Sequence, residues 1–160
     1  PPNTKDMCGS LKNSTGDMCI CCRIFGTAGD NISVASKAKF RDAYPKKKIE
    51  ETIVRAGIAM DRSTGSVSRK ALYSIEAVPA GTSFDFELVT ENLAADELKL
   101  LKAALSSLAD TGLGGSVSRG MGKIDLGLES ATVRTAKYYL GKEEEHQFTG
   151  KEFEDWWTKI

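Results

Sequence analysis

The segment Leu113-Gly114-Gly115-Ser116-Val117-Ser118-Arg119-Gly120-Met121-Gly122-Lys123 constrains this chain most. It sits between a leucine-spaced helical pattern and an alternating apolar stretch. Four glycines and two serines surround one arginine. Glycine lacks a Cβ, so the backbone can take positive φ and another group can come close. Successive N–H groups in such a loop form a concavity suited to an anion. The arginine adds a planar donor fork that matches phosphate. A tight helix-to-strand connection accounts for the same residues, and the segment alone does not decide between the two. Its context does exclude two nucleotide motifs. A Walker-type loop requires Gly-x-x-x-x-Gly-Lys-Ser/Thr. Gly115 and Gly120 reproduce the first spacing, but Met121 and Gly122 intervene before Lys123, and Ile124 replaces the magnesium-holding hydroxyl. The dinucleotide fingerprint demands strand, glycines, helix. Here the order is helix, glycines, strand.

With 160 residues the chain is long enough for one domain with a real core. Hydrophobic content of 41% and charged content of 28% are ordinary for a soluble globular protein. Basic and acidic residues balance at 22 each, so no global positive field advertises nucleic acid. Any such contact must come from local clusters. No apolar run approaches the roughly 18 residues of a membrane helix, and no membrane partner is expected. The chain opens Pro1-Pro2-Asn3-Thr4, with neither a methionine nor a signal-peptide pattern, and reads as a fragment.

All four cysteines lie between Cys8 and Cys22. A disulfide scaffold would spread them along the chain. Their crowding favours a metal site in a reducing compartment, which places the protein in the cytoplasm. Residues 1–31 are polar and glycine-rich, and read as a long loop held by a tether. Cys19-Ile20-Cys21-Cys22 contains a Cys-x-x-Cys pair, half of a structural zinc site, and Cys8 supplies a third thiolate. Ligation by both Cys21 and Cys22 is sterically awkward. His146 is remote, beside Glu143, Glu144 and Glu145, and reads as a solvated surface residue. The fourth ligand is therefore expected upstream of the chain. Free buried cysteines are the alternative.

Further along, Lys37 to Ala43 alternates as a strand with one wet face, ended by Pro45. Lys46-Lys47-Lys48 reads as a solvated face. Val54–Met60 and Leu72–Val78 read as the arms of a hairpin over 54–78, with a polar tip over 61–71 that carries Arg62, Arg69 and Lys70. An exposed basic hairpin suits nucleic acid, and an ordinary surface hairpin fits too. Ser83–Thr90 alternates as a strand with Asp85 and Glu87 toward solvent, so no acid/base pair is read there. Leu98, Leu101, Leu105 and Leu108 define a helix over 95–108. Lys123–Leu128 follows as a strand, Ala131–Tyr139 extends the β structure or leads out of it, and 141–150 reads as an acidic linker. Glu152–Lys159 forms a terminal helix whose Phe153, Trp156 and Trp157 anchor it on the core, with base stacking by the tryptophans as the alternative. Antiparallel strands with one packed helix make the fold class α+β. A leading strand and helix would complete a ferredoxin-like β-α-β-β-α-β unit.

The 113–123 segment resembles the C-terminal glycine-rich loop of RAMP proteins, the repeat-associated RNA-binding proteins of CRISPR systems. Three further stretches narrow the resemblance. Cys19-Ile20-Cys21-Cys22-Arg23-Ile24-Phe25-Gly26 is similar to the Cys-x-x-Cys-x-x-Phe-Gly element of the type III backbone subunits. Ile58-Ala59-Met60-Asp61-Arg62-Ser63-Thr64-Gly65 is similar to their Ile-x-x-Asp-Arg-x-Thr-Gly segment. Leu72 to Thr82 is similar to the strand and turn that follow it.

The resemblance implies a ferredoxin-like, RRM-related fold with a protruding thumb hairpin and a cysteine-rich zinc-binding insertion at 1–31. It implies a single RAMP domain over 1–160 that lacks its first strand and helix. In function it implies a subunit that polymerises along CRISPR RNA with copies of itself and other effector subunits, in a ribonucleoprotein of antiviral defence that binds and cleaves complementary target RNA. The thumb, about Asp61 to Ala71, would wedge between bases, with Arg55, Asp61, Arg62, Thr64, Gly65, Arg69 and Lys70 at RNA. The glycine loop would hold the guide backbone through Gly114, Gly115, Ser116, Ser118, Arg119 and Gly120. Zinc would take Cys8, Cys19 and Cys22. Cleavage in the family uses an aspartate before its first helix and a divalent metal such as magnesium. The matching segment is absent from this chain, so the catalytic residue is unknown, and Asp61 matches the thumb motif instead. Alternative readings are a non-cleaving RAMP module, one segment of a fused effector, or a zinc-stabilised domain without RNA.

Overall fold

The computed structural model describes residues 8–11 and 14–160, with the side chains of residues 15 and 68–71 outside that description. It is a mixed helix and strand structure in two compact units. The first joins the chain up to Lys37 with Glu91–Ile160, and the second is Ala38–Thr90.

The first unit is organised on α3, Ala95–Thr111. Its leucine spacing turns Leu101 and Leu105 into the core with Ile24 and Phe153, while Leu98 and Leu108 are half-buried. Ala94 lacks a capping oxygen, and the Glu97 carboxylate accepts the Ala94 N–H at 2.9 Å instead. Gly112, at φ 85°, stops the helix and donates its N–H to the Leu108 carbonyl at 2.9 Å. The cysteine-rich segment is not a plain loop among its described residues. It forms α1 (Cys8–Leu11), a 3₁₀ turn (Thr15–Asp17) and α2 (Ile20–Phe25). Its residues 1–7 and 12–13 lie outside the described residues.

Two expectations past the glycine loop are corrected. Residues 121–129 form no strand. Ile124, Leu126 and Leu128 are half-buried while Lys123, Asp125, Gly127 and Glu129 are exposed, so the period-two pattern records one face lying on the core without a partner strand. With α3 and α5 (Gly150–Lys159), Leu126 and Leu128 line a shallow groove of about 280 Å³. The acidic linker in turn contains a strand. β7 (Ser130–Val133) pairs antiparallel with β8 (His146–Thr149), matching Ala131 to Phe148 and Val133 to His146. One apolar residue, Phe148, was too weak a signal in so polar a stretch. The chain between them makes the single-turn helix α4, Ala136–Tyr139. Phe148 stacks on Trp156 at 5.2 Å between ring centroids, and Phe153 on Trp157 at 6.0 Å. Lys102 of α3 donates to the Trp157 carbonyl, which seats α5.

The second unit is one nested antiparallel ribbon. β1 (Ala38–Phe40) pairs with β6 (Leu88–Thr90), β2 (Tyr44–Pro45) with β5 (Phe84–Asp85), and β3 (Ile53–Met60) with β4 (Val67–Ala77). Ala38 faces Thr90, Tyr44 faces Asp85 and Ile53 faces Ala77, so the register slips between ladders and each break is a bulge-like interruption. The strand expected over 37–43 is shortened to Ala38–Phe40, and the one expected over 83–90 is split into β5 and β6. Pro45 is the last residue of β2 and ends that ladder as expected, on an edge strand where its missing N–H costs no pairing. Asp85 pairs with Lys46 at 2.9 Å and Glu87 with Arg41 at 3.5 Å, both on the surface. Gly57 sits under its cross-strand neighbour Tyr73, whose hydroxyl lies 2.7 Å from where a Cβ would be. Only glycine lets that ring cover the strand.

Candidate RNA contacts and metal cluster

The glycine loop has a neck and a rim. At the neck, Leu113 donates its N–H to the Gly122 carbonyl at 2.8 Å. A Cβ on Gly112 would lie 2.8 Å from the Gly122 oxygen, and one on Gly122, itself at φ 76°, would overlap the Leu113 carbonyl. These two glycines are required by the protein's own closure. Along the rim, Ser116 takes φ 60° and ψ 28°, a left-handed conformation that costs a non-glycine residue about 1 kcal/mol. Val117–Arg119 make a 3₁₀ turn, and the Arg119 and Gly120 N–H groups are spent on Ser116 and Val117 carbonyls at 2.9 Å. A Cβ on Gly114, Gly115 or Gly120 would meet nothing within 4 Å. Gly114 and Gly120 have φ of 94° and 80°, which explains them. Gly115 has neither a positive φ nor a close neighbour, so the free protein does not need glycine there. Ser118 and Arg119 are exposed beside it and Ser116 is half-buried.

The hairpin tip is shorter than expected. Pairing resumes at Met60–Val67, so the turn is 61–66, and Arg69 and Lys70 fall on β4. Their side chains are outside the described residues. The Asp61 N–H donates to the Ser66 carbonyl at 2.8 Å, and Gly65, at φ 65°, donates its N–H to the Asp61 carbonyl at 2.9 Å. The Asp61 carboxylate accepts the Ser63 hydroxyl at 2.7 Å and the Ser63 N–H at 2.8 Å. The hydroxyl first, then the N–H, hold this carboxyl below its ordinary range. The Thr64 and Ser66 hydroxyls meet at 2.8 Å. Asp61 is thus committed to the turn, while Arg62 on the turn and Arg55 on β3 are exposed.

The Sγ atoms of Cys8, Cys19 and Cys22 all lie within 4.8 Å of one another. Cys19 is the N-cap of α2, and its sulfur accepts the Cys22 N–H at 3.5 Å. Cys8 begins α1, which is fastened by the Asn31 and Ile32 N–H groups donating to the Gly9 carbonyl at 3.0 and 2.8 Å. The Cys19 thiol is lowered, chiefly by the Cys22 N–H, and Cys22 is pushed up to about 11, chiefly because its thiol donates to the Cys19 sulfur. A shared proton of this kind is what a metal ion displaces. Three converging thiols fit a thiophilic ion such as zinc. Cys21 is exposed outside the cluster, and His146 lies in β8 edge-on to Phe148 at 5.6 Å.

Sequence reasoning missed the neighbours of this cluster. Glu97 has a side chain only 1% exposed. It accepts Lys37 Nζ at 2.8 and 3.1 Å, and Arg23 lies 3.5 Å away. Arg23 also donates to Asp96 at 2.7 Å. Lys37, first, and the Ala94 N–H hold the Glu97 carboxyl below its ordinary range. The signal in the chain was Asp96-Glu97 in the first turn of a helix, common enough at any N-terminus to pass unnoticed.

The glycine loop and the cysteine cluster belong to the first unit and the hairpin tip to the second. The family model of the RAMP superfamily matches residues 3–125, a span that contains the cluster, the hairpin, α3 and the loop. The chain belongs to the RAMP superfamily. This RAMP chain is similar to three curated proteins, each named CRISPR system Cms endoribonuclease Csm3. It is 28% identical to that of Methanothermobacter thermautotrophicus over 81% of this chain and 64% of the relative. It is 31% identical to that of Methanocaldococcus jannaschii over 78% and 54%, and 29% identical to that of Streptococcus thermophilus over 76% and 60%. The chain thus spans between 54% and 64% of the length of these relatives. Among the described residues no helix is long and apolar enough to cross a membrane.

Proposed function

We propose that this chain is a backbone subunit of a type III CRISPR effector that holds CRISPR RNA and presents it to complementary target RNA. Copies of itself and other effector subunits are its protein partners, in the cytoplasm. The observation that carries the reading is Gly115, an open glycine with no conformational reason to be glycine, on the rim of a loop that also offers Ser116, Ser118 and Arg119. A close approach by a phosphate supplies that reason. The likeness to three proteins named Csm3 supports the choice of RNA.

On this reading Gly114, Gly115, Ser116, Ser118, Arg119 and Gly120 grip guide backbone. The 61–66 turn is the thumb tip, stiffened by Asp61, with Arg55, Arg62, Thr64, Gly65, Arg69 and Lys70 toward RNA. Family membership supports a ferredoxin-like RAMP fold and a single RAMP domain over 1–160; the ladders of the described residues are two-stranded and do not by themselves make that sheet. Zinc on Cys8, Cys19 and Cys22 fastens the cysteine-rich insertion. Any cleavage of target RNA with a divalent metal such as magnesium we assign to no residue here, since the Asp61 carboxylate is occupied by Ser63.

Binding of CRISPR RNA measured across a salt series tests the reading. Affinity should fall steeply with salt, and Arg119→Ala should weaken binding and shallow the slope by about 0.7–0.9 without unfolding the domain. Affinity unchanged by that substitution would remove the loop from the RNA path. A salt-independent or absent interaction would leave only a zinc-stabilised domain.

A further inference from the structure

We propose that Arg23 is a positioning residue of the three-cysteine cluster, pinned by Asp96 and Glu97 so that metal binding and the start of α3 are coupled. The inference rests on the reading of the cluster as a zinc site. α2 has only six residues, too few to be stable alone, yet it must hold Cys19 and Cys22 at fixed positions. Arg23 follows Cys22 directly. Its guanidinium spans two carboxylates on the first turn of α3, Asp96 at 2.7 Å and Glu97 at 3.5 Å. The adjacent Ile24 is fully buried, and its carbonyl accepts the Lys37 N–H at 2.8 Å. Lys37 then returns through its own ammonium to Glu97 at 2.8 Å. The α2 backbone is therefore clamped on both sides of residue 24 by groups that converge on one buried carboxylate.

Outer partners of this kind orient ligands and tune affinity for the ion. The usual outer partner bonds the ligand itself. Here it bonds the next residue along a helical turn, so it fixes the backbone that carries two of the three sulfurs. The coupling is reciprocal: whatever Arg23 contributes to metal affinity, the metal returns as order at the N-terminus of α3.

Zinc affinity of the full chain, read by competition with a chromophoric chelator at fixed pH, tests this. Arg23→Ala should bind zinc roughly 10–100-fold more weakly. Its cobalt-substituted form should keep the thiolate-to-metal absorption of the wild type at saturation, since the ligands are untouched. Arg23→Lys should recover part of the loss, because it keeps a cation near Asp96 but not the fork. Lys37 still neutralises Glu97 in both variants, so folding is preserved. As the reciprocal readout, zinc should slow amide exchange over residues 95–98 in the wild type and less in Arg23→Ala. Equal zinc affinity of wild type and Arg23→Ala, or equal zinc-dependent protection, overturns the coupling while the zinc site stands. A wild type that binds no zinc overturns both.

Discussion

Gly115→Ala separates a glycine kept for the fold from one kept for a ligand. In the free protein a methyl group at residue 115 meets nothing within 4 Å, and its φ lies outside the positive range that strains alanine. Restricting the unfolded chain should then stabilise the variant by about 0.4–1 kcal/mol. Gly122→Ala is the contrasting control. Its φ of 76° costs about 1–2 kcal/mol, and the overlap with the Leu113 carbonyl breaks the neck, so it should destabilise by about 2–4 kcal/mol. In complex with RNA the order reverses in importance. If a phosphate lies against the rim, the methyl of Gly115→Ala displaces it from backbone donors. Hydrogen bonds to a charged group are worth about 1.5–3 kcal/mol each, so losing one weakens CRISPR RNA binding about 10–100-fold. The assay pairs thermal melts of the free variants with RNA titrations by fluorescence anisotropy at several salt concentrations. A Gly115→Ala protein that melts like the wild type and binds RNA with wild-type affinity refutes the cradle and leaves a plain connection.

Four other outcomes are expected. Zinc affinity should rise with pH through the neutral range, because the ion must displace the proton that Cys22, at about 11, retains; a flat pH profile in chelator competition would show that the thiols are not the ligands. Glu97, lowered from 4.5 in the folded protein, stabilises above that value and loses its contribution as pH falls through the folded value, so wild-type stability should drop more steeply in acid than that of Glu97→Gln in melts between pH 7 and pH 3. At neutral pH the same variant should be less stable by about 1–3 kcal/mol, below the roughly 3–5 kcal/mol of a fully buried broken pair because Arg23 and Lys37 are themselves about a third exposed. Asp61→Ala should speed amide exchange at Ser63, whose N–H loses its acceptor, while a rate unchanged from wild type would mean the tip does not depend on that carboxylate.

Periodicity and spacing were enough for the elements whose signals are local. The leucine repeat specified α3, the alternation around a polar centre specified the hairpin, and the closeness of Cys19 and Cys22 with Cys8 nearby specified which thiols converge. Glycine in a helix-to-strand context also limited what residues 113–123 could be. What local pattern cannot report is a partner. The alternation at 123–128 was real, yet among the described residues no strand pairs with it, and the polar residues of β8 became a strand only because β7 lies opposite. The loop shows the same division. The chain displayed its glycines as equals, and only the tertiary structure sorted them, because steric need depends on what lies across the gap: Gly112 and Gly122 close on each other, while Gly115 faces open space. The Arg23–Asp96–Glu97–Lys37 cluster likewise joins residues scattered along the chain, and a buried carboxylate becomes visible only once its cations have been brought to it.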